Sequence, residues 1–195
     1  MIVQHSAATP EHYTPPEFIE AARATMGGID LDPATTPSVN AWSVKASSIF
    51  TKDDDGLSKA WRGRVWLNPP GGKLKKAGDS YIVVKDGPGE SSAAVWWAKL
   101  AREYFACRIE QAIFLGFTLE ILRSTQEISV IWPGDLPFCV PDSRIRFLHE
   151  ADGGFVAGKS PSHANIIVYL PPAGHDVDAV RRFERHFSKF GRVRT

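Results

Sequence analysis

Val65-Trp66-Leu67-Asn68-Pro69-Pro70 is an apolar run that stops in a rigid turn. The run reads as a short strand. Proline fixes its own φ and biases the residue before it towards extended geometry, so Pro69 and Pro70 hold Asn68 at the strand's carboxyl end. The Asn68 amide oxygen and the backbone carbonyl of Pro69 are both acceptors, and together they can take the two hydrogens of an exocyclic amine. An amine conjugated to a purine ring is a poor nucleophile, because its lone pair is delocalised. Two acceptors on its hydrogens favour a pyramidal nitrogen, ready for in-line attack on an activated methyl group. The turn therefore carries the residue types for methyl transfer to an amine, although a plain strand-end turn has the same local sequence.

Upstream, Tyr13-Thr14-Pro15-Pro16-Glu17-Phe18 predicts a helix start, with Thr14 as N-cap and Glu17 closing a capping box. Phe18, Ile19, Ala21, Ala22 and Met26 recur at helical spacing, and Gly27-Gly28 ends the helix. Ile29-Asp30-Leu31-Asp32-Pro33-Ala34 then reads as a short strand with carboxylates at its carboxyl end. Ligands of open α/β sheets bind there, and a carboxylate can accept from a ribose or an ammonium group.

Downstream, the periodicity predicts a long helix over 93–108, a buried strand over 111–117 and a short helix over 118–126 opened by Thr118. Further strands are expected at 128–132, at the alternating stretch 144–148 and at 165–170, which is apolar throughout and central. An amphipathic helix over 176–190 closes the chain. Strands alternating with helices indicate an α/β fold with a mostly parallel sheet, helices on both faces and the two late strands as an antiparallel edge.

Taken together, these pieces resemble the phage-type DNA adenine-N6 methyltransferases. The resemblance rests on Thr14-Pro15, Asp30-Leu31-Asp32-Pro33-Ala34, Asn40, Phe50-Thr51, Asp55-Gly56-Leu57, Trp61 and Val65-Trp66-Leu67-Asn68-Pro69-Pro70. Weaker echoes follow in Arg144-Ile145-Arg146-Phe147 and Ser160-Pro161-Ser162. It spans most of the chain in one consistent order. It implies a Rossmann-like methyltransferase fold that uses S-adenosyl-L-methionine, acts on DNA and works in the cytoplasm of a bacterium or phage-infected host cell. Thr14, Pro15, Asp30, Asp32, Pro33, Ala34 and Asp55 would hold the cofactor, and Asn68, Pro69 and Pro70 would form the catalytic turn.

Two positions depart from the family pattern. The catalytic motif usually ends in an aromatic residue that stacks on a flipped-out base, and Gly71 stands there. Base-flipping enzymes hold the extruded base between aromatic or apolar side chains, so the ring has to come from elsewhere; Trp66, Trp96 and Trp97 are the candidates. The glycine-rich turn that often follows Asp-Pro-Ala is replaced by Thr35-Thr36-Pro37-Ser38.

A length of 195 residues suits one α/β domain over 1–195, with little room for a separate recognition domain. The net charge of +1 supplies no global basic field, so nucleic-acid contacts must come from local clusters. Cys107 and Cys139 lack metal spacing and read as free thiols packed in a core. Residues 1–12 have neither a basic start nor an apolar centre, which argues against a signal peptide. No apolar run approaches membrane-spanning length.

The segment 71–92 reads as an insertion. It is either a solvated loop with a small hairpin around Tyr81-Ile82-Val83-Val84, or a lid that meets DNA through Lys73, Lys75 and Lys76, with Gly71, Lys73 and Trp97 near the substrate. Asp53-Asp54-Asp55-Gly56 is no calcium loop, since Arg62 falls where the bidentate glutamate belongs. Asp30 and Asp32 lack a third ligand for a metal. Of Trp96-Trp97, one ring is expected in the core and the other partly exposed. The six histidines are scattered, most of them expected at the surface. The basic residues Arg181, Arg182, Arg185, Lys189, Arg192 and Arg194 form either a solvated helix face or a phosphate contact. The expected activity is methylation of adenine N6 in DNA. The same turn suits a cytosine N4 amine or a protein glutamine, and the Gly71 departure also fits a binding module of the same fold without turnover. Neither metal nor membrane enters this reading.

Overall fold

The computed structural model describes residues 12–70, 93–151, 154–158, 163–174 and 176–195, with the backbone of 73–77 and 80–84. Its centre is a seven-stranded sheet. The strands are β1 (Leu31–Asp32), β2 (Ser48–Ile49), β3 (Gly63–Leu67), β6 (Ile109–Gly116), β7 (Phe138–Pro141), β10 (Ile166–Leu170) and β11 (Gly191–Arg194). Across the sheet they follow the order β2-β1-β3-β6-β10-β7-β11. β2, β1, β3 and β6 are parallel neighbours. β10 runs against both β6 and β7, and β11 runs against β7. Five strands thus share one direction.

Alternation along the strands divides the core in two. Trp66, Ile113 and Leu115 face one side with α1 (Pro16–Met26) and α5 (Val177–Phe187). Val65, Leu67, Ala112 and Phe114 face the other with α3 (Ala93–Phe105) and α4 (Glu120–Ser124). Successive strand residues point to opposite faces, so β6 is buried on both sides and reads as a continuous apolar run.

Several expectations change. The cap of α1 is Pro15 without a side-chain hydrogen bond, Glu17 is exposed, and the Thr14–Glu17 box is not formed. Gly27 does end the helix, at φ 77°. Residues 128–132 form turns and bends; the strand after α4 is β7 instead. Residues 144–147 alternate in burial but join no ladder, and pairing starts only at Leu148 of β8 (Leu148–Ala151), which forms a hairpin with β9 (Gly154–Ala157). Of the two late strands expected at the antiparallel edge, 165–170 is antiparallel as β10, while 144–148 stays outside the sheet and β7 and β11 complete that side. Arg192 and Arg194 therefore leave the helical basic cluster and sit on that edge strand. Cys139 is buried as expected, whereas Cys107 is exposed. β4 (Lys73–Ala77) and β5 (Ser80–Val84) pair only with each other, as a separate two-stranded sheet. Among the described residues, no helix is long and apolar enough to cross a membrane.

Candidate active site at the carboxyl end of the sheet

Between β1 and β3 the strand order reverses: β2 lies on one side of β1, while β3 and β6 extend on the other. Such a switch point opens a crevice beyond the carboxyl ends of the two strands. Asp32 ends β1, and Asn68 follows β3 directly.

Asn68 is oriented by the chain amino-terminal to α1. Its Nδ2 donates to the His12 carbonyl at 2.9 Å. With the amide nitrogen so engaged, Oδ1 remains an acceptor without a partner among the described residues. Behind it Pro69 is buried and Pro70 exposed. The His12 segment is fixed in turn by Tyr13, whose N–H and C=O pair with Leu148 at 2.9 and 2.8 Å. Two residues past His12, Thr14 is buried, and its hydroxyl has no hydrogen-bond partner among the described residues. A buried polar atom normally finds a partner, so this hydroxyl is one that a polar ligand could satisfy. Pro15, which caps α1, is buried next to it.

Asp32 is 3 % exposed. Burial pushes its carboxyl up to about 7, against hydrogen bonds from the Ala34 N–H and the Thr35 hydroxyl that favour the charged form. The Ala34 bond, 3.0 Å to Oδ1, closes a local turn after β1. Pro33 is buried and Ala34 half-buried in that turn.

The loop after β2 clamps this turn. Phe50 N–H donates to the Asp32 carbonyl at 3.0 Å, and Thr35 N–H donates to the Phe50 carbonyl at 3.1 Å. Asp55 stands exposed at φ 53°. Next to it, Gly56 lies so close that a Cβ there would come within 2.1 Å of the Pro33 carbonyl oxygen. The fully buried Trp61 indole donates back to the Gly56 carbonyl at 2.8 Å. The segments Asp32-Pro33-Ala34 and Asp55-Gly56, far apart in sequence, are thereby one structural unit. Asn40 serves the neighbouring loop instead, where its carboxamide clips both the N–H and the C=O of Ala46.

Two expected site residues are engaged elsewhere. Asp30 does not join Asp32. Both its oxygens are taken by the Arg64 guanidinium at 2.7 and 2.8 Å, and Arg64 N–H adds a third bond. The Arg64 side chain holds the Asp30 carboxyl below the usual carboxylate range. This pair sits at the amino end of β3, away from the crevice, and is a structural clamp. Trp97 is fully buried, donates to the Ile131 carbonyl at 2.8 Å and meets Phe114 edge-on. It has no ring face for a substrate, and Trp66 and Trp96, 1 % and 5 % exposed, are no better placed. Gly71 lies outside the described residues, as do Ser160, Pro161 and Ser162; of Lys73 only the backbone, in β4, is described.

A group the sequence reading passed over gathers beside Asn68. The His12 ring lies 5.6 Å from Phe117, 5.9 Å from Phe147 and 5.0 Å from His149. His163 meets Phe117 at 5.6 Å. Partial burial and the neighbouring His149 lower the pKa of His12. In the sequence, Phe117 is marked only by its place at the end of the apolar run 111–117. Two broad surface concavities lie elsewhere, one along β7 and β11 and one under Tyr104 and Glu110 at the amino end of β6. Among the described residues no group of His, Cys, Asp and Glu could hold a metal ion. Comparisons with protein-family models, curated proteins and solved structures find no match.

Proposed function

We propose that the chain is a Rossmann-like, S-adenosylmethionine-dependent methyltransferase acting on the N6 amine of adenine in DNA. One observation carries the reading: at the switch point of the sheet, Asn68 is anchored through Nδ2, and its Oδ1 has no partner among the described residues.

The residues present fit the cofactor. Thr14 offers an unsatisfied buried hydroxyl, and Asp32 offers a buried carboxyl that a cationic or hydroxyl-bearing ligand could engage. Asp55 stands at the rim of the same unit through Gly56. When bound, S-adenosylmethionine supplies a methyl group activated by its sulfonium. Asn68 Oδ1 accepts one hydrogen of the adenine amine, and the Pro69 carbonyl accepts the other. With both hydrogens so held, the amine's lone pair would point towards the activated methyl group, and the proton released on methylation would pass to water. Two prolines keep the acceptors from relaxing, so their alignment exists before the substrate arrives.

DNA as substrate is supported by the cations near the crevice. Arg144 and Arg146 are exposed on either side of buried Ile145, and Phe147 beside them joins the His12 and Phe117 rings. The test is incubation of the purified protein with methyl-labelled S-adenosylmethionine and a mixture of DNA, RNA and protein. N6-methyladenine in the digested DNA is expected. Label in protein glutamine, in cytosine N4 or in no substrate at all would overturn the assignment.

A further inference from the structure

We infer that Phe117 supplies the stacking surface that Gly71 cannot, and that a flipped adenine lies against its ring while Asn68 holds the amine. The inference rests on the adenine reading above.

Position is the first argument. β3 and β6 are parallel neighbours in the register Leu67↔Phe114. Asn68 is one residue past the carboxyl end of β3, and Phe117 is the first residue past β6. With about 3.3 Å per residue and about 4.8 Å between strands, the two α-carbons lie roughly 8 Å apart. A purine whose amine meets Asn68 spans that gap. His12 ties them physically, since its carbonyl takes the Asn68 amide while its ring packs 5.6 Å from Phe117.

Rigidity is the second. A stacking ring has to be held before the base arrives, or ordering it offsets the gain. Buried Asn165 donates to the Phe117 carbonyl at 2.8 Å and accepts from Ile145 N–H at 3.0 Å. This bridge fixes the Phe117 backbone to the stretch that carries Phe147. Phe147 then supports the Phe117 ring at 5.4 Å, and His163 meets it edge-on at 5.6 Å. Phe117 nevertheless stays half-buried, unlike Trp66, Trp96 and Trp97. Part of the Phe117 ring is open at the carboxyl end of the central strands.

Three variants test this: Phe117→Leu, which keeps apolar volume and removes the π-face, Phe117→Tyr and Phe117→Trp, each shown to melt like the parent. Phe117→Leu should lower DNA methylation by about ten- to a hundredfold, the size of one base–aromatic stack. S-adenosylmethionine affinity should stay unchanged, and Phe117→Tyr should stay near the parent. In Phe117→Trp, the change in emission on adding an oligothymidylate with one central adenine should exceed that with an abasic site at the same position. Full activity in Phe117→Leu overturns the inference, and so does an identical response to the two oligonucleotides. If the parent protein transfers no methyl group to DNA, the adenine assignment fails, and the oligonucleotide comparison alone decides the role of Phe117.

Discussion

The Asn68 carboxamide donates to the His12 carbonyl at 2.9 Å, across 56 positions of the chain. This bond engages the amide nitrogen, and Oδ1 has no partner among the described residues. Asn68→Ala should lower turnover by a hundredfold or more, as removal of an oriented hydrogen-bond partner does in other enzymes, with cofactor affinity nearly constant. Asn68→Asp should be comparably impaired, because a carboxylate cannot donate to His12. Single-turnover rates beside calorimetric cofactor titration check both. Wild-type turnover in Asn68→Ala would remove the mechanism.

Asp32 couples the cofactor site to stability. Asp32→Ala should weaken S-adenosylmethionine binding by about ten- to a hundredfold, the cost of about 1.5–3 kcal/mol for a charge-assisted bond. Unchanged calorimetric affinity in a folded variant would exclude Asp32 as a ligand.

The same carboxyl gives a pH signature in the unliganded protein. Burial raises it from 3.8 to about 7, so the folded chain holds a proton that the unfolded chain has released over that window. Stability from this group is full below about 4 and is lost as pH rises towards 7, by on the order of 4 kcal/mol in total. Asp32→Asn keeps the acceptor for Ala34 N–H and has nothing to ionise. Its denaturation midpoint should approach or pass the parent's as pH climbs from 5 to 8. Parallel curves across that range would show that the carboxyl is not buried as described. His12 acts with the opposite sign, its lowered pKa making stability fall as pH drops below about 6.5, and it cancels in the comparison.

Gly56 is the contact between the two cofactor segments. Gly56→Ala would drive a methyl group against the Pro33 carbonyl oxygen. Overpacking of this kind costs about 1–3 kcal/mol. Urea denaturation should show that loss, and S-adenosylmethionine affinity should fall with it because Pro33 and Asp55 are pushed apart. A variant as stable as the parent would place Gly56 in open space.

The hairpin of β4 and β5 shares no ladder with the central sheet. Replacing residues 75–90 by a short flexible linker should therefore leave melting and cofactor binding intact. DNA affinity should fall, and its salt dependence should flatten, because Lys75, Lys76 and Lys85 are removed. Unaltered DNA methylation in the shortened protein would mark the segment as an inert insertion.

Local chemistry alone was enough for part of this protein. Gly27 ending α1, the apolar runs of β3, β6 and β10, and the Asn68-Pro69-Pro70 turn are all set by backbone preference and hydrophobic spacing over a few residues. The same holds for the α/β alternation. Residues 128–132 and 144–147 have strand-like composition but pair with no strand among the described residues. Thr14 has the sequence of an N-cap, yet its buried hydroxyl caps no helix and finds no partner among the described residues.

Tertiary structure decided which like residues share a fate. Asp30 and Asp32 are two positions apart, yet one is consumed by Arg64 at the amino end of β3 and the other is buried near the crevice. Tryptophans that composition offers as stacking candidates are all core, and the half-buried ring beside Asn68 belongs to Phe117. His12, Phe117, Phe147 and His163 meet only because β3 and β6 are neighbours and the chain before α1 crosses their ends. Pairings across such separations depend on long-range contacts that no local window of sequence contains.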